Sequence, residues 1–203
     1  MLENAIDRAR KDLLSIGIDR IVKNTGAVSE KEGAITVKYF NTIFEIVLPD
    51  FIFEPDLPDF EKTLMLHYLT GGDVSFIIAN SDSKKKYVSY ANLKDGMFYF
   101  KTFQRRGPEK IRKAFSEKPE LLIEAAQSCG GVRESYSDIS VIIPVFPRLS
   151  VIVVLTLSDE EFPSSVNMLF PSDATIYLPL EDLALTGDVV AKKLCSYPDI
   201  KSA

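Results

Sequence analysis

The chain has 203 residues, of which 46% are hydrophobic and 26% charged, with a formal net charge of −5. That length supplies enough apolar surface for a buried core without disulfides or structural metal, and the composition excludes wholesale disorder. An acidic balance, 29 Asp and Glu against 24 Lys and Arg, argues against general nucleic-acid binding. No window reaches the roughly 18 uninterrupted apolar residues of a membrane span. The longest apolar stretch, Val141 to Leu157, is broken by Pro144, Pro147, Arg148 and Ser150 and reads as two strands. The opening residues form an amphipathic charged stretch rather than an apolar signal core, so a cytoplasmic location is expected, with no membrane partner.

Along the chain, Leu2, Ile6, Ala9 and Leu13 mark one face of a helix over Leu2 to Ile16. Gly17 ends it, and Asp19 is expected to cap a short second helix through Val22, stopped near Gly26. From Ala34, the apolar Ile35, Val37 and Tyr39 alternate with Thr36 and Lys38, predicting a strand. A turn at Asn41-Thr42 returns as a second strand, Ile43 to Leu48, closing a hairpin. Pro49, Pro55 and Pro58 punctuate an acidic, aromatic segment read as irregular. Asp59 then caps a helix from Phe60 to Thr70, closed by Gly71-Gly72.

Ser81 to Lys86 reads as a polar loop, and Tyr87 to Leu93 as a strand or extended segment. Met97 to Phe103 is the densest aromatic run and ends in Gln104-Arg105-Arg106-Gly107. Helices are predicted over Pro108 to Phe115 and Pro119 to Cys129, the second stopped by Gly130-Gly131. Strands follow at Ser140 to Val145 and Ser150 to Leu157, with shorter ones at Val166 to Phe170 and Thr175 to Leu178. A last helix runs from Glu181 to Leu194. Mixed rather than alternating elements predict an α+β fold. The expectation is one domain over 1–203: a helical segment 1–26, a hairpin 34–48 and a main body 59–195. Its mainly antiparallel sheet would have about five to seven short strands, packed by about five helices.

Few residues carry chemistry. Cys129 and Cys195 are too few for a thiolate metal or iron–sulfur site and read as free thiols. Cys129 ends a helix, where the negative end of the dipole would raise its pKa. Glu181-Asp182 suits the first turn of a helix, and Asp159-Glu160-Glu161 an exposed turn. Glycine pairs end helices instead of opening them, the wrong polarity for a phosphate cradle. His67 is the only histidine, on one helical stripe with Phe60 and Leu64 and with Tyr68 beside it. Two readings attach to it: a core imidazole held by one carbonyl, or an axial ligand to a macrocycle that brings its own four nitrogens. Tyr99, Phe100, Phe103, Arg105 and Arg106 likewise read either as a core element ending in two solvated arginines or as a stacking surface with cationic anchors.

Several blocks carry a family resemblance. They are Leu66-His67-Tyr68-Leu69, Asp95-Gly96-Met97-Phe98-Tyr99 with Phe103-Gln104-Arg105-Arg106, Glu160-Glu161-Phe162-Pro163 with Leu169-Phe170, and Tyr177 to Ala184. In this order, spanning about Leu64 to Leu194, they resemble a domain-of-unknown-function family (family 3786) found mostly in anaerobic bacteria and archaea. Some relatives carry an additional four-cysteine segment similar to that of corrinoid iron–sulfur proteins of one-carbon metabolism. The resemblance therefore implies corrinoid chemistry, with no iron–sulfur cluster in this chain. The usual D-x-H-x-x-G cobalamin loop is absent, since Met65 and Thr70 stand at the flanking positions of His67.

The expected function is a non-catalytic corrinoid (cobalamin) carrier for storage or delivery in methyl-transfer metabolism. His67 would be an axial cobalt ligand or a donor behind it. Tyr68, Phe98, Tyr99 and Phe103 would wall the pocket, and Arg105 or Arg106 would hold the phosphate or amides. The alternative is a cofactor-free module docking onto a methyltransferase or an iron–sulfur protein. A third reading, a small enzyme with His67 as general base, lacks a second catalytic group.

Overall fold

The first helix of the computed structural model, α1 (Leu2–Ile16), buries Ile6, Ala9 and Leu13 on the expected stripe. The structure describes residues 2–72 and 86–198, with side chains from residue 6 onward. The polar loop expected over Ser81 to Lys86 lies outside the described residues, apart from Lys86. The chain folds into two compact units. The first takes the described residues up to 72, with Phe146–Arg148 and Ile176–Pro179. The second takes those from 86 to Val145, Leu149–Thr175 and Leu180 onward.

In the first unit, α2 (Ile18–Thr25) starts at Gly17, so Asp19 sits inside the first turn instead of capping it. There its carboxylate still meets the positive end of the helix dipole. A three-stranded antiparallel sheet follows in the order β1 (Ala34–Tyr39), β2 (Thr42–Val47), β3 (Ile52–Glu54). The hairpin turn is Phe40-Asn41, one residue earlier than the sequence suggested, because Phe40 adopts φ +52 and Tyr39 pairs with Thr42. The proline-punctuated segment, read as irregular, supplies β3. Its three residues fit between Pro49 and Pro55, and it buries Phe53 on the edge of β2.

α3 (Asp59–Thr70) begins after Pro58, with Asp59 and Glu61 in its first turn. It ends at Gly71, where an added Cβ would collide with the Tyr177 carbonyl oxygen, so only glycine fits. Tyr68 of α3 lies at the centre of an aromatic cluster. Its ring stacks on Phe146 with centroids 4.2 Å apart, and Phe146 stacks in turn on Tyr39 at 4.9 Å.

The second unit is built on a five-stranded sheet in the order β4 (Tyr87–Ser89), β8 (Ser165–Pro171), β7 (Leu149–Thr156), β6 (Ile139–Phe146), β5 (Val132–Glu134). The residue-paired neighbours β4–β8, β7–β8 and β5–β6 are antiparallel. β6 and β7 are buried along most of their length, which requires cover on both faces of the sheet centre. The two edges are only three residues long, which limits pairing with another chain. β5 has no sequence signal beyond Val132, which stands between Gly131 and the charged Arg133-Glu134. The strands expected as one sheet thus form two.

Tyr87 to Leu93 divides into β4 and a 3-10 turn, Tyr90–Asn92. Asp95, at φ +65, turns the chain into α4 (Gly96–Arg106). Gly107 links α4 to α5 (Pro108–Phe115), which is followed by α6 (Glu120–Ser128). Beyond β8, residues expected as a short strand form a helical turn, α7 (Ala174–Tyr177), before α8 (Leu180–Leu194). Ala174 is fully buried and Tyr177 nearly so, each within its own unit.

Tyr68 places its hydroxyl in the first unit's core, donating to the Thr25 carbonyl at 2.6 Å and accepting from the Arg148 N–H at 3.0 Å. Tyr68→Phe keeps the ring and orphans both backbone groups. A loss of about 1–3 kcal/mol is expected, read as a lower urea midpoint with an unchanged slope.

Candidate functional site

The residues expected to carry function lie on α3 and α4, and the structure gives them different environments. On α3, in the first unit, His67 is half-buried and the adjacent Tyr68 fully buried. The Tyr68 ring has two aromatic neighbours, Phe146 at 4.2 Å and Tyr177 at 6.1 Å. Burial raises its phenol pKa well above the ordinary value. Tyr68 therefore serves packing, and His67 is the residue of that stretch left toward the surface.

Phe98, Tyr99, Phe103, Arg105 and Arg106 all lie on α4, in the second unit. Phe103 is the buried anchor: its ring stacks on Tyr90 at 4.2 Å and tilts against Phe170 at 5.9 Å. α8 approaches so closely that a Cβ at Gly187 would come within 2.5 Å of the Phe103 ring. Five residues earlier, Phe98 points about 140° away around the helix. It is 91% exposed, with Met97 at 66% and Tyr99 at 40%. One helix cannot wall a single pocket with both Phe98 and Phe103. The structure separates them into a surface group and a core group.

The basic residues divide as sharply. Arg106 donates to Asp188 of α8 at 2.8 Å, and Lys110 of α5 reaches the other oxygen of the same carboxylate at 2.8 Å. Arg112 grips Glu109 through two bonds of 2.9 and 2.8 Å. Arg105, exposed, instead lines a cleft of about 410 Å³ with Lys101, Gln104, Glu109, Arg112 and the Ser164-Ser165 pair. Among the described residues, neither Lys101 nor Arg105 has a carboxylate at ion-pair distance. Arg106, assigned from sequence as an anion holder beside Arg105, is engaged with Asp188.

The remaining chemistry is largely structural. Cys129 and Cys195 are free thiols. Both pKa values are raised, chiefly by burial. Asp159 forms the exposed turn expected of it, accepting the N–H groups of Glu161 and Phe162, which hold its carboxyl below the usual range. Glu61 is a residue that sequence reasoning missed: 6% exposed in the first unit, it lies beside the buried Tyr39 phenol. Burial first, then the Glu61 carboxylate, raises the Tyr39 pKa. A glutamate in the first turn of a helix carries no sequence mark that it will be buried. Among the described residues, no group of three or more His, Cys, Asp or Glu could hold a metal ion, and no helix is long and apolar enough to cross a membrane.

The sequence profile of the family described as Domain of unknown function (DUF3786) matches residues 18–193, and the chain belongs to that family. The match includes α2 and the first sheet, well before the blocks that begin at Leu64. No curated protein and no solved structure matches the chain.

Asp188 carries the pH-sensitive contact of this region. Burial pushes its carboxyl up, but the hydrogen bonds from Lys110 and Arg106 outweigh this and hold it below the ordinary value. A carboxyl lowered on folding stabilises fully above its unfolded pKa, near 4, and loses that contribution as pH falls through its folded value. Both cations are more than two-fifths exposed, so screening limits the effect. Asp188→Asn should cost about 0.5–1 kcal/mol at pH 7 and almost nothing near pH 2, measured by urea melts at both pH values.

Proposed function

We propose that this member of the family is a cytoplasmic binding protein rather than a catalyst, and that it docks a partner protein through the first turn of α4. The observation behind this reading is the exposure of Phe98, Met97 and Tyr99 side by side on a helix whose opposite face is anchored by Phe103. Aromatic residues and methionine are enriched where interfaces bury their centres. Covering the Phe98 side chain alone would contribute about 1.5–3 kcal/mol. The helix is already fixed, so little ordering cost would oppose docking. A fitting partner offers an apolar socket with carboxylates near Lys101 and Arg105. A methyltransferase or an iron–sulfur protein, the partners implied by the family resemblance, would have to present such a face.

This reading is tested with a photo-crosslinking residue at Phe98 in the native cells, compared with one at Ile43, an exposed apolar side chain of the first sheet. The expected result is a discrete adduct from position 98 that is absent from position 43. Identical adduct patterns from the two positions would sink it.

A corrinoid-carrying role is the second reading, favoured by one observation. His67 is half-buried, while Leu66, Tyr68 and Leu69 around it are fully buried, so the imidazole lies at the margin of the core. An imidazole there suits an axial position on cobalt, the chemistry a corrinoid would bring. Hydroxocobalamin titrated into the protein should shift its visible bands saturably, and His67→Ala, checked for folding by circular dichroism, should abolish the shift. Unchanged spectra with every corrinoid form would end this reading.

A further inference from the structure

We infer that the cleft between α4, α5 and the start of β8 binds the phosphate group of a small phosphorylated molecule. This goes beyond the docking and corrinoid readings and stands on the cleft alone. Three cations, Lys101, Arg105 and Arg112, line it against one carboxylate, Glu109, in a chain whose net charge is −5. The pattern of ion pairing gives the cleft its character. Arg112 and Glu109 neutralise each other through two hydrogen bonds, and Arg106 and Lys110 outside it share Asp188. Of the cations on α4 and α5, Lys101 and Arg105, one helical turn apart on α4, are the two without a carboxylate among the described residues, and both line this cleft.

The donor set suits a phosphoryl group. Arg105 offers a planar fork for two oxygens, Lys101 a compact point charge, and Ser164 and Ser165 add hydroxyl donors to the lining. A phosphate near neutral pH carries up to two negative charges and three strongly accepting oxygens, enough to engage all of these at once. The cleft's volume of about 410 Å³ falls in the range of small-molecule sites, so room remains beside the phosphate for an organic portion.

The test is a heteronuclear NMR titration of the full chain with inorganic phosphate, then with adenosine monophosphate and citrate, at constant ionic strength to hold screening fixed. Phosphate should produce saturating shifts at Arg105 and Ser165, and the monophosphate should bind more tightly through its organic portion. Arg105→Gln should weaken binding about tenfold. Lys38→Gln, an exposed cation of the first sheet, should leave it unchanged. Arg105 is itself exposed, so its substitution spares the core, and Lys101→Gln serves as a second variant. Shifts that stay linear with concentration, equal losses from Lys38→Gln, or a response to citrate without one to phosphate would each overturn the proposal.

Discussion

The stack of Phe103 on Tyr90, with Phe170 tilted against it, sets how α4 is rotated about its own axis. Gly187 deepens the constraint, because α8 meets the Phe103 ring where a methyl group would intrude. Once Phe103 faces inward, the helical period decides the rest. Phe98 must face outward, Lys101 and Arg105 fall on one side toward Ser164-Ser165, and Arg106 reaches Asp188. The surface chemistry of the second unit therefore follows from one buried ring.

The first unit shows the opposite use of aromatic residues. Tyr39, Tyr68 and Phe146 stack in its interior, and the Tyr68 hydroxyl satisfies two backbone groups that would otherwise be buried without partners. A tyrosine at such a point gives a large apolar area and a polar handle from the same side chain. That double duty removes Tyr68 from any role as an open pocket wall. It leaves His67, its neighbour in sequence, at the edge of the cluster.

Electrostatics on α4 and α5 divide between bound and available charge. Asp188 serves two cations and Glu109 holds Arg112, so these groups fix helices to each other or within a turn. The charge on Lys101 and Arg105 is not spent in this way. An exposed pair of like cations one turn apart costs the helix a few tenths of a kcal/mol. An anionic ligand or a carboxylate-bearing partner would relieve that cost. The proposed docking face and the proposed phosphate cleft thus share Lys101 and Arg105, while Phe98 belongs to the docking face alone.

The sequence by itself determined where most elements lie. α1, α5 and the long strands β6 and β7 follow from apolar periodicity and from Pro108 at a helix start, all of which are local signals. It determined the α+β class and the family as well, since the resemblance blocks lie within the matched residues. Interactions distant in sequence decided the remainder. β3 exists because β2 offers an edge to Phe53. The aromatic run at Met97 to Phe103 was legible as chemistry but not as geometry, because β propensity and helical packing compete there. Only Tyr90, Phe170 and Gly187, brought in from three other elements, settle which ring is core and which is surface. Which arginine is engaged and which remains available was likewise decided by Asp188, 82 residues along the chain from Arg106. Sequence spacing records a residue's neighbours within its own element, while burial and charge pairing depend on the elements packed against it.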